Sequence, residues 1–336
     1  MVCGGFAGLP RLSCLGAHSL DFMEVTVRSY APTAKGGIAT AFPEARSAAD
    51  SGFVRMAHPM RMVRSRGFLA AAFLLAGCWP RPNPAPPVEG KVVVTPKKGV
   101  GHWGSRLPEA PDLLGCSWYY NWGPRPGEAA SGVMAEFIPM IWSGKHATNE
   151  ELKHVKSAGY KVLLGFNEPD GEGQANMTVA EAIALWPKLA ATGLRLGSPA
   201  TTTGAKWLDE FMDEARAKKF RVDFLCLHWY GDITKPDPVG DLRKYLEGYW
   251  EKYRLPIWLT EYSGGDFDYH LRKTTVEDNA RFARESISML EGLPFVERYA
   301  WYAPIVSRHD RNYPTVRMIN RDRTFTPVGL AWRASP

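Results

Sequence analysis

Two glutamates stand directly after apolar runs of the sequence, where a carboxyl group can take part in proton transfer. Glu168 follows residues 163–166, Leu-Leu-Gly-Phe, and Glu261 follows residues 257–260, Ile-Trp-Leu-Thr. A carboxyl group in such a position is partly removed from water, which raises its pKa and suits it to act as a general acid. Two carboxyl groups that face each other across a cleft meet the requirement for hydrolysing a glycosidic bond. The pair therefore predicts acid–base chemistry on a sugar.

Other polar and aromatic side chains stand at neighbouring strand ends. Asn167 carries an amide that can bind a sugar hydroxyl, and we expect His228 to bond Glu261 or a sugar hydroxyl, although a lone histidine is commonly structural. The chain holds 12 Trp, 13 Tyr and 15 Phe. Rings at strand ends are predicted to stack on sugars, while about half of the aromatic residues in these runs are expected in the core. The predicted sugar-binding aromatic residues are Trp118, Trp122, Trp142, Trp229, Tyr230 and Trp301.

The elements that position these residues alternate between strand and helix. The predicted strands cover residues 114–121, 136–142, 160–167, 194–199, 224–230, 257–262 and 296–302. The predicted helices cover residues 149–158, 179–191, 206–219, 240–253 and 275–291. This α/β pattern favours a (β/α)8 TIM-like barrel with one element short or irregular. A Rossmann sheet is less favoured, because no G-x-G-x-x-G motif follows the first strand. Barrel enzymes carry their chemistry at the C-terminal ends of the strands, where both glutamates fall.

Three motifs together resemble those of glycoside hydrolase family 128, whose members have a barrel of the clan A type. They are Gly165-Phe-Asn-Glu-Pro-Asp170, His228-Trp-Tyr230 and Trp258-Leu-Thr-Glu-Tyr262, and the resemblance covers residues 110–335. It implies a retaining, endo-acting β-1,3-glucanase with Glu168 as acid/base and Glu261 as nucleophile. The clan carries its two catalytic glutamates on strands 4 and 7. Three strands should then precede the strand of Glu168, whereas only two are visible in this sequence.

Two alternatives to that function stay open from the sequence. A surface protein could bind a glycan through the same aromatic cleft without cutting it, or the same mechanism could act on another β-glycan. The presence of both glutamates favours an enzyme, because an unpaired buried charge costs several kcal/mol and a binding protein gains nothing from two of them. No cofactor and no metal site are predicted, and the sequence contains no H-E-x-x-H, G-x-S-x-G or P-loop motif.

The N-terminal part of the sequence predicts export. Three arginines precede the apolar run 67–77, which is too short to span a bilayer and is typical of a signal peptide. The run ends at Leu75-Ala-Gly-Cys78, which resembles a bacterial lipobox, so Cys78 is the predicted lipidation site. We therefore expect an exported lipoprotein on the periplasmic or cell-surface face of a membrane. Because Trp79 is not the aspartate that retains lipoproteins in the inner membrane, the outer membrane is expected in a cell that has two.

The expected organisation follows from these signals. Residues 1–59 are predicted to be disordered and to result from a mis-called start, residues 60–78 to be the signal peptide and residues 79–108 to be a Pro-rich linker. Residues 109–336 form the predicted barrel domain, expected to be a monomer. Eight basic and four acidic residues precede Cys78, so they carry much of the net charge of +6. The folded part has no basic stripe for nucleic acid. Cys116 and Cys226 are expected to be buried thiols, with a disulfide as the alternative.

Overall fold

The computed structural model describes residues 90–103, 107–127, 130–202, 205–264, 274–305 and 315–336. The predicted signal peptide, the lipidation site at Cys78 and the segment 1–59 lie outside the described residues. Within the described ranges, no helix is long and apolar enough to cross a membrane.

Strands and helices alternate along the described chain. The strands are β1 (Thr95–Gly101), β2 (Cys116–Tyr120), β3 (Glu136–Phe137), β4 (Val162–Leu163), β5 (Arg195–Leu196), β6 (Leu225–Trp229), β7 (Ile257–Tyr262) and β8 (Val296–Trp301). The helices are α1 (Ala110–Leu113), α2 (Asn149–Ser157), α3 (Val179–Ala190), α4 (Ala205–Ala217), α5 (Pro238–Tyr253), α6 (Val276–Gly292) and α7 (Pro327–Ala334). Every predicted strand and helix is present, although β3, β4 and β5 have only two residues each.

Parallel pairing joins the strands into a barrel. One sheet has the order β3-β2-β1-β8-β7-β6, and β4 pairs with β5. Two parallel bridges connect these groups, Met140 with Leu164 and Gly197 with Phe224. Through them the neighbours follow one another from β1 to β8, and β8 pairs with β1. The TIM-like barrel is confirmed, and its irregularity lies in the short strands from β3 to β5.

Strand β1 corrects the predicted domain boundary. It lies between β2 and β8 and is therefore part of the barrel wall, so the prediction that residues 79–108 are all linker is wrong. Its sequence, Thr-Pro-Lys-Lys-Gly-Val-Gly, has no apolar run that would reveal a strand. Lys98 is fully buried because its ammonium group donates to the backbone oxygens of Trp332 and Ser335, at 3.2 and 2.9 Å. Burial lowers the Lys98 pKa to about 8. The folded domain thus includes the strand that the sequence did not reveal.

Large aromatic side chains fill the inside of the barrel. The Trp118 and Trp258 rings lie 5.2 Å apart, and Phe224 lies 4.5 Å from Trp258. A side chain at Gly99 would place its Cβ 2.3 Å from the Trp118 ring, so the close approach of β1 to this ring requires glycine. The Arg298 guanidinium lies 4.5 Å from the centre of the Trp258 ring, at the N-terminal end of the barrel. The interior is a packed core beneath the site.

A second core lies between the strands and the surrounding helices. Cys116 belongs to it and Cys226 belongs to the barrel interior, and both are free, buried thiols as predicted. Four of the helices begin at threonines that accept a hydrogen bond from the first turn, Thr148, Thr178, Thr275 and Thr326. Each cap satisfies an amide that the helix leaves unpaired.

The position of β1 predicts where the folded domain begins. A chain that starts at residue 109 is expected not to fold, because losing β1 removes hydrogen bonds from β2 and β8 and exposes Trp118. A chain that starts at residue 90 should unfold cooperatively. Circular dichroism and thermal unfolding of both chains test this, and a cooperative transition in the shorter chain would contradict the placement of β1.

Candidate active site

The two glutamates lie together at the C-terminal end of the barrel. Glu168 comes shortly after β4, and Glu261 is the fifth residue of β7. Both are buried, with 8% and 5% of their surfaces exposed. A carboxyl oxygen of each lies within 4.8 Å of the other and of a ring nitrogen of His228. With β1 counted, the two carboxylates stand on the fourth and seventh strands, so the apparent lack of a strand before Glu168 is resolved.

His228 connects the two carboxyl groups. Its Nδ1 atom lies 2.9 Å from Glu168 Oε1, and its Nε2 atom lies 3.6 Å from Glu261 Oε1. Burial alone would lower the His228 pKa, but the carboxylates of Glu261 and Glu168 outweigh it and raise the pKa above its ordinary value. A positive charge on His228 is therefore stabilised between two acids. The sequence predicted a bond from His228 to Glu261 or to a sugar hydroxyl, whereas the hydrogen bond in the structure is with Glu168.

Glu168 occupies an environment that favours its neutral form. Burial raises its pKa most, and the charge of Glu261 adds to the effect, while the hydrogen bond with His228 opposes it. The Glu168 backbone has φ 44°, a left-handed conformation that is costly for a residue with a side chain, and proline follows it. Its N–H donates to Ala200 O at 2.6 Å. Such strain is found where a functional side chain must point in one direction.

Three neutral donors surround the Glu261 carboxylate. Trp122 Nε1 donates to Oε1 at 2.8 Å, the Tyr120 hydroxyl lies 3.1 Å from the same oxygen, and the Tyr230 hydroxyl donates to Oε2. Burial and the nearby carboxylates raise the pKa of both tyrosines well above its ordinary value, so both keep their protons. Hydrogen bonds of this kind stabilise negative charge on a carboxylate. The two glutamates thus have different surroundings.

Asn167 lies next to Glu168 and is almost fully buried. Its Nδ2 atom lies 3.4 Å from Gln174 Oε1. Its Oδ1 atom has no hydrogen-bond partner among the described residues. A buried acceptor without a partner is costly, so this oxygen is suited to receive a hydroxyl donor from a bound ligand.

The only cluster in the described residues with ligand atoms close enough for a metal ion is Glu168, His228 and Glu261. These groups do not fit a resident metal. His228 Nδ1 already contacts Glu168, and three donors already point at the Glu261 oxygens. A cation would have to displace these contacts, and the arrangement suits proton transfer instead.

The aromatic cleft differs from the predicted one. Trp118, Trp229 and Trp301 were predicted to bind sugar, and the structure places all three in the core, so these predictions are wrong. Trp118 fills the barrel interior, the Trp229 ring stacks on Phe282, and Trp301 donates to Val316 O at 2.9 Å. Successive residues of a strand point to opposite faces, and the sequence did not reveal which face meets the cleft.

The rings that remain near the carboxylates come from several strand ends. Trp122 and Trp142 are half-buried against the barrel interior, and Tyr230 contacts Glu261 directly. Sequence reasoning missed Trp103, which is 49% exposed and stacks on Trp122 with ring centres 4.3 Å apart. Tyr302 meets both of these tryptophans edge-on. Trp103 was missed because it follows β1, which the sequence did not reveal.

Comparison with known proteins defines the family. Residues 112–332 match the family described as the glycosyl hydrolase catalytic core. The chain is also 32% identical over 200 residues to alkali-sensitive linkage protein 1 of Schizosaccharomyces pombe. That match covers 56% of this chain and 35% of the relative, so the chain spans about a third of the length of this relative.

Solved structures of glycoside hydrolase family 128 resemble the chain closely. A subgroup I endo-β-1,3-glucanase from Amycolatopsis mediterranei, in complex with laminaritriose, is 40% identical, with a TM-score of 0.65, and the match covers 71% of this chain and 99% of that one. A subgroup II enzyme from Sorangium cellulosum is 27% identical, with a TM-score of 0.62 and coverage of 71% and 98%. A curdlan-specific exo-β-1,3-glucanase from Blastomyces gilchristii is 30% identical, with a TM-score of 0.56 and coverage of 71% and 99%.

The barrel and its paired glutamates therefore define a glycoside hydrolase. The chain belongs to the glycosyl hydrolase catalytic core family and, within it, to glycoside hydrolase family 128. The resemblance found in the sequence motifs is confirmed.

The environment of Glu168 predicts that its ionised carboxyl group lowers the stability of the folded protein at neutral pH. A group whose pKa is raised on folding stabilises the protein below its unfolded pKa, and that stabilisation is lost as the pH rises through the folded pKa. Glu168→Gln keeps an oxygen for His228 and removes the charge. It should therefore be more stable than the natural protein at pH 7, with the difference vanishing below about pH 4.

A matched control for this measurement is Glu297→Gln. Burial would raise the Glu297 pKa, but hydrogen bonds from Arg195 and Trp258 outweigh it and lower the pKa. The sign is then opposite, so this variant should be less stable at pH 7 and should approach the natural protein in acid. Thermal unfolding between pH 3 and about pH 8 measures both variants. A destabilised Glu168→Gln variant at pH 7 would contradict the environment described for Glu168.

Proposed function

We propose that this protein is a retaining endo-β-1,3-glucanase in which Glu168 is the acid/base and Glu261 is the nucleophile. The observation that carries the proposal is the close approach of the two buried carboxyl groups, whose oxygens lie within 4.8 Å. Retaining enzymes hold their carboxyl groups about 5 to 5.5 Å apart, whereas inverting enzymes leave about 6.5 to 9.5 Å for a water molecule. The observed separation supports the retaining mechanism.

The surroundings of the two groups support their separate roles. Glu168 has a raised pKa, mainly because it is buried, and so it can hold a proton for the leaving group. Glu261 accepts hydrogen bonds from indole and phenol donors, which orient its carboxyl group for attack. A pair of carboxyl groups whose environments differ in this way is the usual basis for assigning acid and nucleophile.

The reaction then takes two displacements. Glu168 gives its proton to the glycosidic oxygen while Glu261 attacks the anomeric carbon, so the bond to the leaving sugar breaks and a glycosyl ester of Glu261 forms. Glu168, now ionised, takes a proton from water as the water oxygen attacks the anomeric carbon and releases the Glu261 carboxylate. A charged His228 disperses negative charge while Glu168 is ionised. Two inversions at the same carbon give net retention.

The relatives support β-1,3-glucan as the substrate. The Amycolatopsis mediterranei enzyme was crystallised with laminaritriose, and variants with one or the other of two glutamates replaced by alanine were crystallised with laminaripentaose or with laminaritriose and laminaribiose. In this chain, Trp122 and Tyr230 contact Glu261, and neighbouring rings meet at steep angles, as Tyr302 does with both, so the rings do not form one flat platform. A curved glucan presents its ring faces at changing angles, which suits such a cleft. Asn167 Oδ1 would accept a sugar hydroxyl.

Two alternatives make different predictions. A non-catalytic glycan-binding protein would bind laminarin without releasing sugar. An enzyme for another β-glycan would cleave lichenan or xylan in preference to laminarin and curdlan. The Blastomyces gilchristii relative is an exo-enzyme, so endo action is part of the proposal and rests on the higher identity to the endo-acting Amycolatopsis mediterranei enzyme.

We also propose that the enzyme is anchored to a membrane. Lipid on Cys78 would anchor the domain to a membrane, and the proline residues between Cys78 and residue 90 would hold the barrel away from the surface. The enzyme would then act on glucan at the periplasmic or outer face of the cell.

The test of the catalytic roles uses azide as a substitute nucleophile. Glu261→Ala should lose at least about 1,000-fold in turnover of laminarin, because covalent catalysis is lost. Azide should restore turnover of an activated glycoside and give a glycosyl azide of inverted configuration. Glu168→Ala with azide should give the retained anomer. The product configurations are read by proton NMR.

The controls for this test decide between the functions. The natural enzyme should release oligosaccharides of several lengths from laminarin and curdlan and little from lichenan or xylan. If Glu261→Ala gave the retained glycosyl azide and Glu168→Ala the inverted one, Glu168 would be the nucleophile and Glu261 the acid/base. Binding of laminarin without any release of sugar would establish the binding protein instead.

The anchor is tested separately by Cys78→Ser in the full chain, expressed in a bacterium that processes lipoproteins. The variant should leave the membrane fraction with its turnover unchanged, because residue 78 lies outside the domain that carries the cleft. Cell fractionation and intact-mass measurement of the lipid check this. Membrane association equal to that of the natural chain would refute lipidation at Cys78.

A further inference from the structure

The Trp122 indole is held at the nucleophile and is not an open platform for sugar. Its N–H donates to Glu261 Oε1 at 2.8 Å. The Trp103 ring covers one of its faces, with ring centres 4.3 Å apart, and Tyr302 meets it edge-on. The ring packing and the hydrogen bond together fix both the position and the rotation of the indole.

The local backbone is shaped to hold this ring. Trp122 has φ 61°, a left-handed conformation that costs energy for a bulky residue. The ring lies so close to β1 that a Cβ at Gly101 would be 3.0 Å from it. Strain at Trp122 and the absence of a side chain at Gly101 serve the same result, an indole N–H directed at Glu261.

The hydrogen bonds divide the two oxygens of Glu261 into different classes. A carboxylate oxygen accepts about two hydrogen bonds in its plane. Oε1 accepts the Trp122 N–H, and the Tyr120 hydroxyl lies 3.1 Å away, with His228 Nε2 at 3.6 Å. Among the described residues, Oε2 receives a hydrogen bond from Tyr230 alone. The lone pair available for bond formation is therefore on Oε2.

The two donors to Oε1 are not equivalent. An indole nitrogen can only donate, so Trp122 is a fixed donor. The Tyr120 hydroxyl has one proton and lies 3.0 Å from Thr260 O and 3.1 Å from Glu261 Oε1, so it can give that proton to either oxygen. When the charge of Glu261 is consumed in an ester, Tyr120 can turn to the backbone, whereas Trp122 keeps its contact with Oε1.

We propose that Trp122 is a positioning residue that binds Oε1 of Glu261 through both displacements and thereby presents Oε2 to the anomeric carbon. Oε1 becomes the carbonyl oxygen of the ester and still accepts the indole N–H. Tyr120 supplies a second, alternating hydrogen bond to the same oxygen. This inference rests on the proposed function, because it assumes that Glu261 is the nucleophile.

The test removes the indole N–H of Trp122 while keeping an aromatic ring at that position. Trp122→Phe removes the donor and part of the ring, and replacement of Trp122 by β-(3-benzothienyl)alanine removes the N–H with the shape nearly unchanged. Both should reduce kcat on laminarin by at least about tenfold, because Oε2 of Glu261 is then no longer held toward the anomeric carbon. KM should stay within about twofold, since substrate binding does not use this bond.

A second measurement reports on the nucleophile itself. An activated 2-deoxy-2-fluoro glucosyl donor traps the ester, and the rate of mass gain by intact-protein mass spectrometry should fall by about the same factor as kcat. Trp186→Phe is the matched control. The Trp186 indole N–H on α3 donates to Arg221 O at 2.9 Å, and Arg221 precedes β6 at the N-terminal end of the barrel, opposite the carboxylates, so kcat and the trapping rate should not change.

The outcomes separate this inference from the function beneath it. Unchanged kcat and trapping in the benzothienyl variant would overturn the role of the N–H, even if Trp122→Phe fails to fold. A large rise in KM at constant kcat would also overturn it and assign the ring to sugar stacking. If the natural enzyme is not labelled at Glu261, the proposed function fails. If the natural enzyme is labelled at Glu261 and the Trp122 variants show the same labelling rate and kcat, the proposed function stands and this inference alone is wrong.

Discussion

Two carboxyl groups are buried so close together that their charges oppose each other, and the rest of the cleft acts on this repulsion. The oxygens of Glu168 and Glu261 lie within 4.8 Å in a site shielded from water. Both cannot be ionised there without compensation. His228 lies between them, where the two carboxylates favour its charged form, while Trp122 and Tyr230 donate to Glu261 alone. The repulsion is thus resolved unequally, and this inequality supports the proposed roles of Glu168 as acid/base and Glu261 as nucleophile.

The barrel supplies the rigidity that such an arrangement needs. Donors at the end of β2 meet carboxylates that lie after β4 and on β7 because parallel strands end at one rim, and the interior below is filled by aromatic rings. Trp118 stacks beside Tyr120 and against Trp258, so the floor of the cleft is continuous with the core. At the opposite end, Arg195 binds Glu297 in two hydrogen bonds, at 2.6 and 2.9 Å, and closes the barrel. The same packing therefore supports both stability and the position of the site.

Strain and burial are concentrated where the chemistry is. Glu168 and Trp122 both adopt left-handed backbone conformations, with φ 44° and 61°, and Asn167 keeps a buried oxygen without a partner among the described residues. Each of these features destabilises the isolated protein, and each points a polar group into the cleft. The surrounding barrel holds them because its strands and helices are well packed and well capped. The packing of the barrel therefore offsets the loss of folding free energy that these strained and unpaired groups cause.

The sequence by itself determined the fold class, the family and the two carboxylates. These are local signals, since apolar runs, threonine caps and the residues around Glu168 and Glu261 can be read without knowing which strands are neighbours. Only the tertiary structure decided which aromatic residues meet the cleft. Trp118 and Trp122 are four residues apart, yet one fills the core and the other donates to Glu261. Strand β1 was hidden for the same reason, because Lys98 and Gly99 are fitted to carbonyls and a ring supplied by distant parts of the chain. Burial of a polar strand is a property of its partners, and those partners exist only once the barrel has closed.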